Sequence, residues 1–365
     1  MNENKIIFHY PGKLSETLNT GETKRPVQML HAFQNLGYDV TCITGTRSER
    51  RTIFNKIKSS LKTFDFIYSE NSNIPLDLCC SSRLPSLHSI DIALFKNAAY
   101  FNIPIGVFYR DIFWRYSPFK EQVGLLKFYL ALPFYIREMR LYDKFASKIF
   151  LPSKRSKSWL PVKNVNKLAV LPPGEPIHPI KKADNNKEHF LNLLYVGSIR
   201  PPKYDLTLLF QNLAILPKES YSLIVNTRKD DWNAYSSFYN IPESFQSYFA
   251  SGTNLKPLYE KADIALCFMV PDEYWKIALP LKLFEAIGYG LPIISYGDSA
   301  VSDFVRENDI GWVVNEDDKQ NIFEYLINNR NEIAEKRKNV LAIRSEHTWE
   351  KRAEKVAKTL MKKKQ

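Results

Sequence analysis

Two periods of hydrophobicity alternate along this 365-residue chain. Short apolar runs bounded by turn formers mark buried strands, and apolar residues three and four apart mark the helices between them. Residues 5–9 (KIIFH) form the first run and lead into the turn Tyr10-Pro11-Gly12. After a polar loop, 13–24, Pro26 suits a first helical position, and Val27, Leu30, Ala32, Phe33 and Leu36 follow as a helical stripe ending at Gly37. Val40–Thr44 is the next strand. Such a strand–helix–strand unit implies, by its crossover handedness, a parallel sheet. The alternation continues through strand 64–68, a helix near 89–101, strand 105–109, a helical region 120–146, and strands 148–151 and 168–171.

Residues 172–189 hold four prolines and a polar, charged run, the best domain boundary in the chain. A second alternation follows, with strands at 191–196, 222–226, 264–268, 292–295 and 311–314 and helices at 204–214, 230–240 and 281–288. Charged helical segments, 318–338 and 345–361, close it. The pattern predicts an α/β protein of two doubly wound domains, 1–172 and 190–340, joined by a linker at 173–189. The C-terminal helix within 341–365 is expected to pack back on the first domain. Ligands of paired α/β domains bind in the cleft between them, which is the expected site.

Composition is that of a soluble globular chain, with 44% hydrophobic and 25% charged residues. No run approaches the ~20 apolar residues of a membrane span, and the first residues lack a signal-peptide pattern, so a cytoplasmic location is expected. Cys42, Cys79, Cys80 and Cys267 have neither disulfide-framework nor zinc spacing. The formal charge is +12, and it is clumped. Residues 47–62 (RSERRTIFNKIKSSLK) read as a basic amphipathic helix carrying Arg50, Arg51, Lys56 and Lys58. Residues 123–136 (VGLLKFYLALPFYI) are apolar on most sides and broken by Pro133, and Lys362-Lys363-Lys364 adds a third patch. These segments suit peripheral contact with an anionic membrane surface. Charge alone does not make a nucleic-acid binder, and no readout motif accompanies it.

The most informative segment is Leu279–Ser295, LPLKLFEAIGYGLPIIS. Pro280 can open a helix whose free N–H groups favour a phosphate, and Glu285 inside it can accept hydrogen bonds from a vicinal diol. The run KLFEAIGYGLPII resembles the nucleotide-sugar segment of GT-B glycosyltransferases, especially retaining enzymes of family 4. Tyr195-Val196-Gly197-Ser198-Ile199, Leu258–Ile264, Leu171-Pro172-Pro173-Gly174, and Gly21 with Arg25 before Val27–Val40 are similar to further stretches of that family. The resemblance spans most of the chain and implies two Rossmann-like domains facing each other across a cleft.

By that resemblance, Glu285 matches the second glutamate of the family's pair and binds the donor ribose, with Lys282 and Leu283 beside it. The first glutamate is replaced by Ile277, so sugar contacts must come from elsewhere or the donor differs; Asp272 and Glu273 do not have its spacing. Ser198 stands where an arginine usually follows Gly197, and Arg200 and Lys203 lie within reach to hold the diphosphate. Gly21 would let backbone approach the donor phosphates. In the first domain, Asp111 is the catalytic candidate: it could accept the acceptor hydroxyl's proton, only orient the acceptor, or form a structural pair with Arg110. Arg110, Trp114 and His9 are acceptor-side candidates, with stacking on a sugar and core packing both open for Trp114 and Tyr116. No Asp-x-Asp motif is present, and neither a cofactor nor an essential metal is expected. The resemblance implies a retaining glycosyltransferase that moves a sugar from a nucleotide diphosphate donor to a glycan or lipid-linked glycan at the inner membrane face, in bacterial surface polysaccharide synthesis. Its alternatives are a non-catalytic partner subunit and a nucleotide-sugar epimerase.

Overall fold

A computed structural model describes residues 4–14, 21–79, 89–116, 119–120, 123–180 and 190–361. Loop residues 15–20, Cys80, linker residues 181–189 and the Lys362-Lys363-Lys364 patch lie outside them. The chain divides into two compact units, one running to Pro173 and resuming at Trp349, the other comprising Gly174–Thr348.

The first unit is built from β1 (Lys5–His9), α1 (Gly21–Asn35), β2 (Asp39–Ile43), α2 (Arg47–Ile57), β3 (Phe66–Glu70), α3 (Ile90–Tyr100), β4 (Ile105–Phe108), α4 (Leu125–Phe145), β5 (Lys148–Leu151) and β6 (Leu168–Val170). Its strands pair in parallel in the order β2-β1-β3-β4-β5-β6. β1 and β3 are almost wholly buried, as near-continuous apolar strands of a parallel sheet must be. Helix α1 begins at Gly21, five residues before its expected start, and runs through Pro26. It ends where Gly37, at φ +80°, lets Tyr38 N–H reach back to the Phe33 carbonyl.

The second unit contains β7 (Leu191–Val196), α5 (Thr207–Ala214), β8 (Tyr221–Asn226), α6 (Lys229–Tyr235), β9 (Phe245–Tyr248), α7 (Lys256–Lys261), β10 (Ile264–Cys267), α8 (Leu281–Gly288), β11 (Ile293–Tyr296), α9 (Ala300–Asn308), β12 (Gly311–Val314), α10 (Ile322–Asn328) and α11 (Arg330–Ile343). Its parallel order is β12-β11-β10-β7-β8-β9. The last helix, α12 (Trp349–Met361), lies in the first unit. Its buried residues, Trp349, Ala353, Val356, Ala357 and Leu360, recur at helical spacing. Leu360 packs where a side chain on Gly106 of β4 would stand, and Arg352 Nε donates to the Pro173 carbonyl at 3.0 Å.

Buried charges tie the first sheet to its helices. Arg50 is wholly buried and grips Asp91 with two bonds, Nε to Oδ1 at 2.8 Å and Nη2 to Oδ2 at 2.9 Å. The same carboxylate meets His9 Nε2 at 2.9 Å, while His9 Nδ1 meets Ser69 Oγ at 2.7 Å. One ionic knot therefore joins β1, β3, α2 and α3. This overturns two expectations. Helix α2 stops at Ile57, giving way to a 3₁₀ turn at Lys58–Thr63, and Arg50 is a core residue rather than part of a membrane-facing stripe. His9 is fully enclosed and offers nothing to an acceptor. Nearby, Arg25 donates to Glu70 at 3.1 Å and its guanidinium lies 3.4 Å from the Phe108 ring centroid.

Two pH effects of opposite sign follow. Burial raises the Asp91 pKa, but the hydrogen bonds from His9 and Arg50 outweigh it and the net shift is downward. Its stabilisation is thus present above the ordinary carboxylate pKa and lost as pH falls. Asp91→Asn should cost about 3–5 kcal/mol at pH 7 by stranding Arg50, with the difference from the parent shrinking below about pH 4 in thermal melts. Glu138 on α4 is instead pushed up to about 7 by burial, against hydrogen bonding that includes the Leu76 N–H at 3.0 Å. Its contribution is full at low pH and lost as pH rises through that value. Glu138→Gln should therefore gain stability over the parent between pH 5 and pH 8, by ~2 kcal/mol in denaturant titrations.

Candidate functional site

Each sheet has one place where the strand order reverses direction, between β1 and β3 in the first unit and between β7 and β10 in the second. Loops leaving the C-terminal ends of such neighbouring strands run to opposite sides and leave a crevice, the common ligand site of open α/β sheets. In the second unit, the loop 197–203 after β7 and the loop 268–280 after β10 flank that point, and α8 begins immediately after the latter.

The two loops are tied together. Trp275 Nε1 donates to the Lys203 carbonyl at 2.7 Å, and Lys203 Nζ lies 3.8 Å from the Tyr274 ring centroid. Arg200 is 59% exposed at its side chain, pairs with Asp231 at 3.2 Å and stands over the Tyr235 ring. Ser198 Oγ donates to the other oxygen of Asp231 at 2.6 Å. A carboxylate thus partly neutralises Arg200.

Pro280 is the residue before the first turn of α8 rather than inside it, and its carbonyl accepts from Leu283 N–H at 3.2 Å. The Leu283 side chain is completely buried in the hydrophobic core, which corrects its expected place on the ligand side. Glu285 is only 4% exposed. Its Oε2 accepts from Lys282 Nζ at 2.7 Å and from the Tyr259 hydroxyl at 2.8 Å. Burial and the Glu285 charge hold the Tyr259 phenol well above its ordinary pKa, so that it stays a donor. Ile277, at the position of the missing first acid, is buried and apolar, and Asp272 caps the Trp275 N–H at 2.7 Å. Burial raises Cys267 to about 12, which leaves it an inert thiol.

In the first unit, Gly21 opens α1. Arg110 and Asp111 follow β4, both half-buried, and the Arg110 N–H donates to Asn71 Oδ1 at 2.8 Å across from the end of β3. Trp114 is packed inward: its Nε1 donates to the Tyr109 hydroxyl at 2.9 Å and its ring stacks on Tyr135. Tyr116 is equally buried, against Trp159. Of the two open readings for these aromatics, core packing is the one observed, which corrects the assignment of Trp114 to the acceptor side. Among the described residues, no group of three or more His, Cys, Asp and Glu side chains is placed to hold a metal ion.

The sequence reading assigned no role to Tyr259, Asp231 or Trp275. Tyr259 lies within a quoted stretch, but nothing in its spacing pairs it with Glu285, 26 residues away. The pairing of β7 with β10 brings Trp275 to the Lys203 loop, and the pairing of β7 with β8 brings Asp231 to Ser198 and Arg200. Helices α7 and α8, on either side of β10 in sequence, bring Tyr259 to Glu285.

The family described as glycosyl transferases group 1 matches residues 191–329. No curated protein is a significant match to the chain. Solved structures share its fold. Anabaena HepE in complex with UDP and glucose is 14% identical, with 98% of this chain and 99% of that chain covered at a TM-score of 0.60. WaaG, a glycosyltransferase involved in lipopolysaccharide biosynthesis, is 15% identical over 98% and 100% at 0.57. Sucrose-phosphate synthase from Thermosynechococcus elongatus is 15% identical over 98% of each chain at 0.61. The parallel-strand sheets and these likenesses define a GT-B fold, and with a glycosyl transferases group 1 domain in its second unit the chain is a glycosyltransferase.

Proposed function

We propose that the protein is a retaining, family 4-type enzyme that transfers a sugar from a nucleoside diphosphate donor to the hydroxyl of a glycan or lipid-linked glycan, in building a bacterial surface polysaccharide. The observation that carries the donor reading is Glu285. A carboxylate so deeply buried at a switch-point helix, accepting from Lys282 and Tyr259, lies within the segment matched by the glycosyltransferase family. HepE was solved with UDP-glucose, and UDP is the first nucleotide to test.

In this reading Glu285 accepts hydrogen bonds from the ribose diol, and the cationic loop takes the diphosphate. Lys203, Arg200 and the N–H groups opening α8 offset the charge that builds on the departing nucleoside diphosphate, so no metal is required for that purpose. The leaving diphosphate departs from the face that the acceptor hydroxyl attacks and can take up its proton. Asp111 orients the acceptor or receives that proton. With Ile277 in place of an acid, the transferred sugar is recognised by other groups.

The acceptor reading places the protein on an anionic membrane, and α4 supports it. The helix continues through Pro133 and leaves Leu125, Leu126, Tyr129 and Leu130 exposed. Leu126, Leu130, Pro133, Arg137, Arg140 and Lys144 follow one another at helical spacing and are all exposed. That stripe is apolar at one end and cationic at the other, the arrangement that enters a headgroup layer. No helix among the described residues is long and apolar enough to cross a membrane, so contact would be peripheral.

Glu285→Ala should weaken UDP binding about 10- to 100-fold by calorimetry, the worth of one or two hydrogen bonds to a charged group, with the circular dichroism unchanged. Undiminished UDP affinity would remove Glu285 from the donor site. The double variant Leu126→Ser, Leu130→Ser should lose about tenfold or more of its binding to phosphatidylglycerol vesicles, given ~1.5–3 kcal/mol per buried leucine side chain. Equal vesicle binding by parent and variant would exclude α4 as the docking element.

A further inference from the structure

The carboxylate at the proposed donor site is connected, through three stacked rings, to the segment that enters the second unit. The Tyr259 ring, whose hydroxyl holds Glu285, lies face to face with Tyr289, with centroids 4.5 Å apart and planes within 1°. The other face of Tyr289 carries the His178 imidazole, at 3.8 Å and 8°. His178 is itself fixed on three sides. Its N–H donates to the Gly288 carbonyl at 3.1 Å, its carbonyl accepts from Arg344 Nη1 at 3.0 Å, and its Nε2 meets Glu175 Oε1 at 3.2 Å.

The entering segment also presses on α8 directly. A Cβ on Gly288 would stand 2.6 Å from the Pro176 carbonyl oxygen and 2.9 Å from Glu175 Cγ, so only glycine admits the chain at this distance. Beside the stack, Pro179, Ile180, Tyr259, Tyr289, Leu291 and Arg337 line a small recess open to solvent. Tyr259 belongs to the hydrophobic core of the unit and Tyr289 packs against it, and His178 adds a third ring on the side of the entering segment.

We propose that His178, Tyr289 and Tyr259 form a positioning relay: the segment Glu175–His178 sets the Tyr259 hydroxyl, and Tyr259 sets the Glu285 carboxylate for the nucleotide. The proposal rests on the donor reading above and adds to it a means by which the entering segment controls nucleotide affinity. None of the three rings touches the nucleotide. Each acts through the next, by flat stacking whose worth depends on parallel contact. Loss of the His178 ring removes the flat contact from one face of Tyr289. Loss of the Tyr259 hydroxyl removes the donor that α7 supplies and keeps the bond from Lys282, which is made from a flexible stem.

Three variants test the relay: Tyr259→Phe, which keeps the stack and removes the donor, His178→Ala, which removes the outer ring, and His178→Phe, which restores a flat ring. Two readouts are taken, UDP affinity by calorimetry and amide hydrogen exchange across Leu281–Tyr289. Tyr259→Phe should weaken UDP about 5- to 20-fold, the range of one hydrogen bond to a charged group acting indirectly. His178→Ala should weaken UDP several-fold and speed exchange at the end of α8, and His178→Phe should recover most of both losses. Unchanged α8 exchange in His178→Ala, or a His178→Phe variant as impaired as His178→Ala, would overturn the relay. A parent protein that binds neither UDP nor GDP would instead defeat the donor reading, and the exchange data would still decide whether the rings are coupled.

Discussion

A carboxylate taken out of water must be met by donors that stay in place, and that requirement organises both halves of this protein. In the first unit Asp91 is surrounded by Arg50, His9 and Ser89, and the cage welds two strands to two helices. In the second, Glu285 is met by Tyr259 and Lys282, and the consequence is chemical as well as structural. One oxygen, Oε2, takes both donors, one from α7 and one from α8 itself. A group held in this way is ready to recognise a diol without first paying to be ordered.

The two sites differ in access. Asp91, Arg50 and His9 are sealed from solvent. Glu285 lies on the helix that follows the switch-point loops, and the first of those loops carries Arg200 and Lys203. In the proposed donor reading, the field of these loop cations beside a buried acid suits a ligand with a diol at one end and a diphosphate at the other. Asp231 tempers that field by pairing with Arg200, and Trp275 fixes the loop that carries Lys203. The stacked rings behind Glu285 extend the same logic backward, since a donor must itself be held by something rigid.

Positive charge has been divided among several tasks. Arg50 and Arg25 are core residues bonded to acids, and neither contributes to a membrane-facing surface. Arg137 is shared, because its exposed guanidinium also pairs with the buried Asp77 at 3.3 Å. The exposed apolar turns of α4 are therefore a more selective mark of a surface-binding element than the raw excess of lysine and arginine.

Much of this was legible along the chain. The βαβ alternation, the proline-rich boundary near 172 and the helix bearing Glu285 follow from local periodicity and turn chemistry, which depend on neighbours a few residues apart. The apolar character of 123–136 was equally visible, though not which of its faces stays open. What the linear pattern could not show is which distant residues become partners. Arg50 reads as one more cation on an amphipathic helix until Asp91, 41 residues away, is brought beside it. Trp114 reads as an aromatic free to stack on a sugar until Tyr109 and Tyr135 enclose it. Tyr259 meets Glu285 because the helices before and after β10 pack beside each other. Period and composition determined the elements, since hydrophobic burial is repeated locally; the tertiary structure alone decided the sites, since a buried charge takes its partner from whichever strand the topology sets next to it.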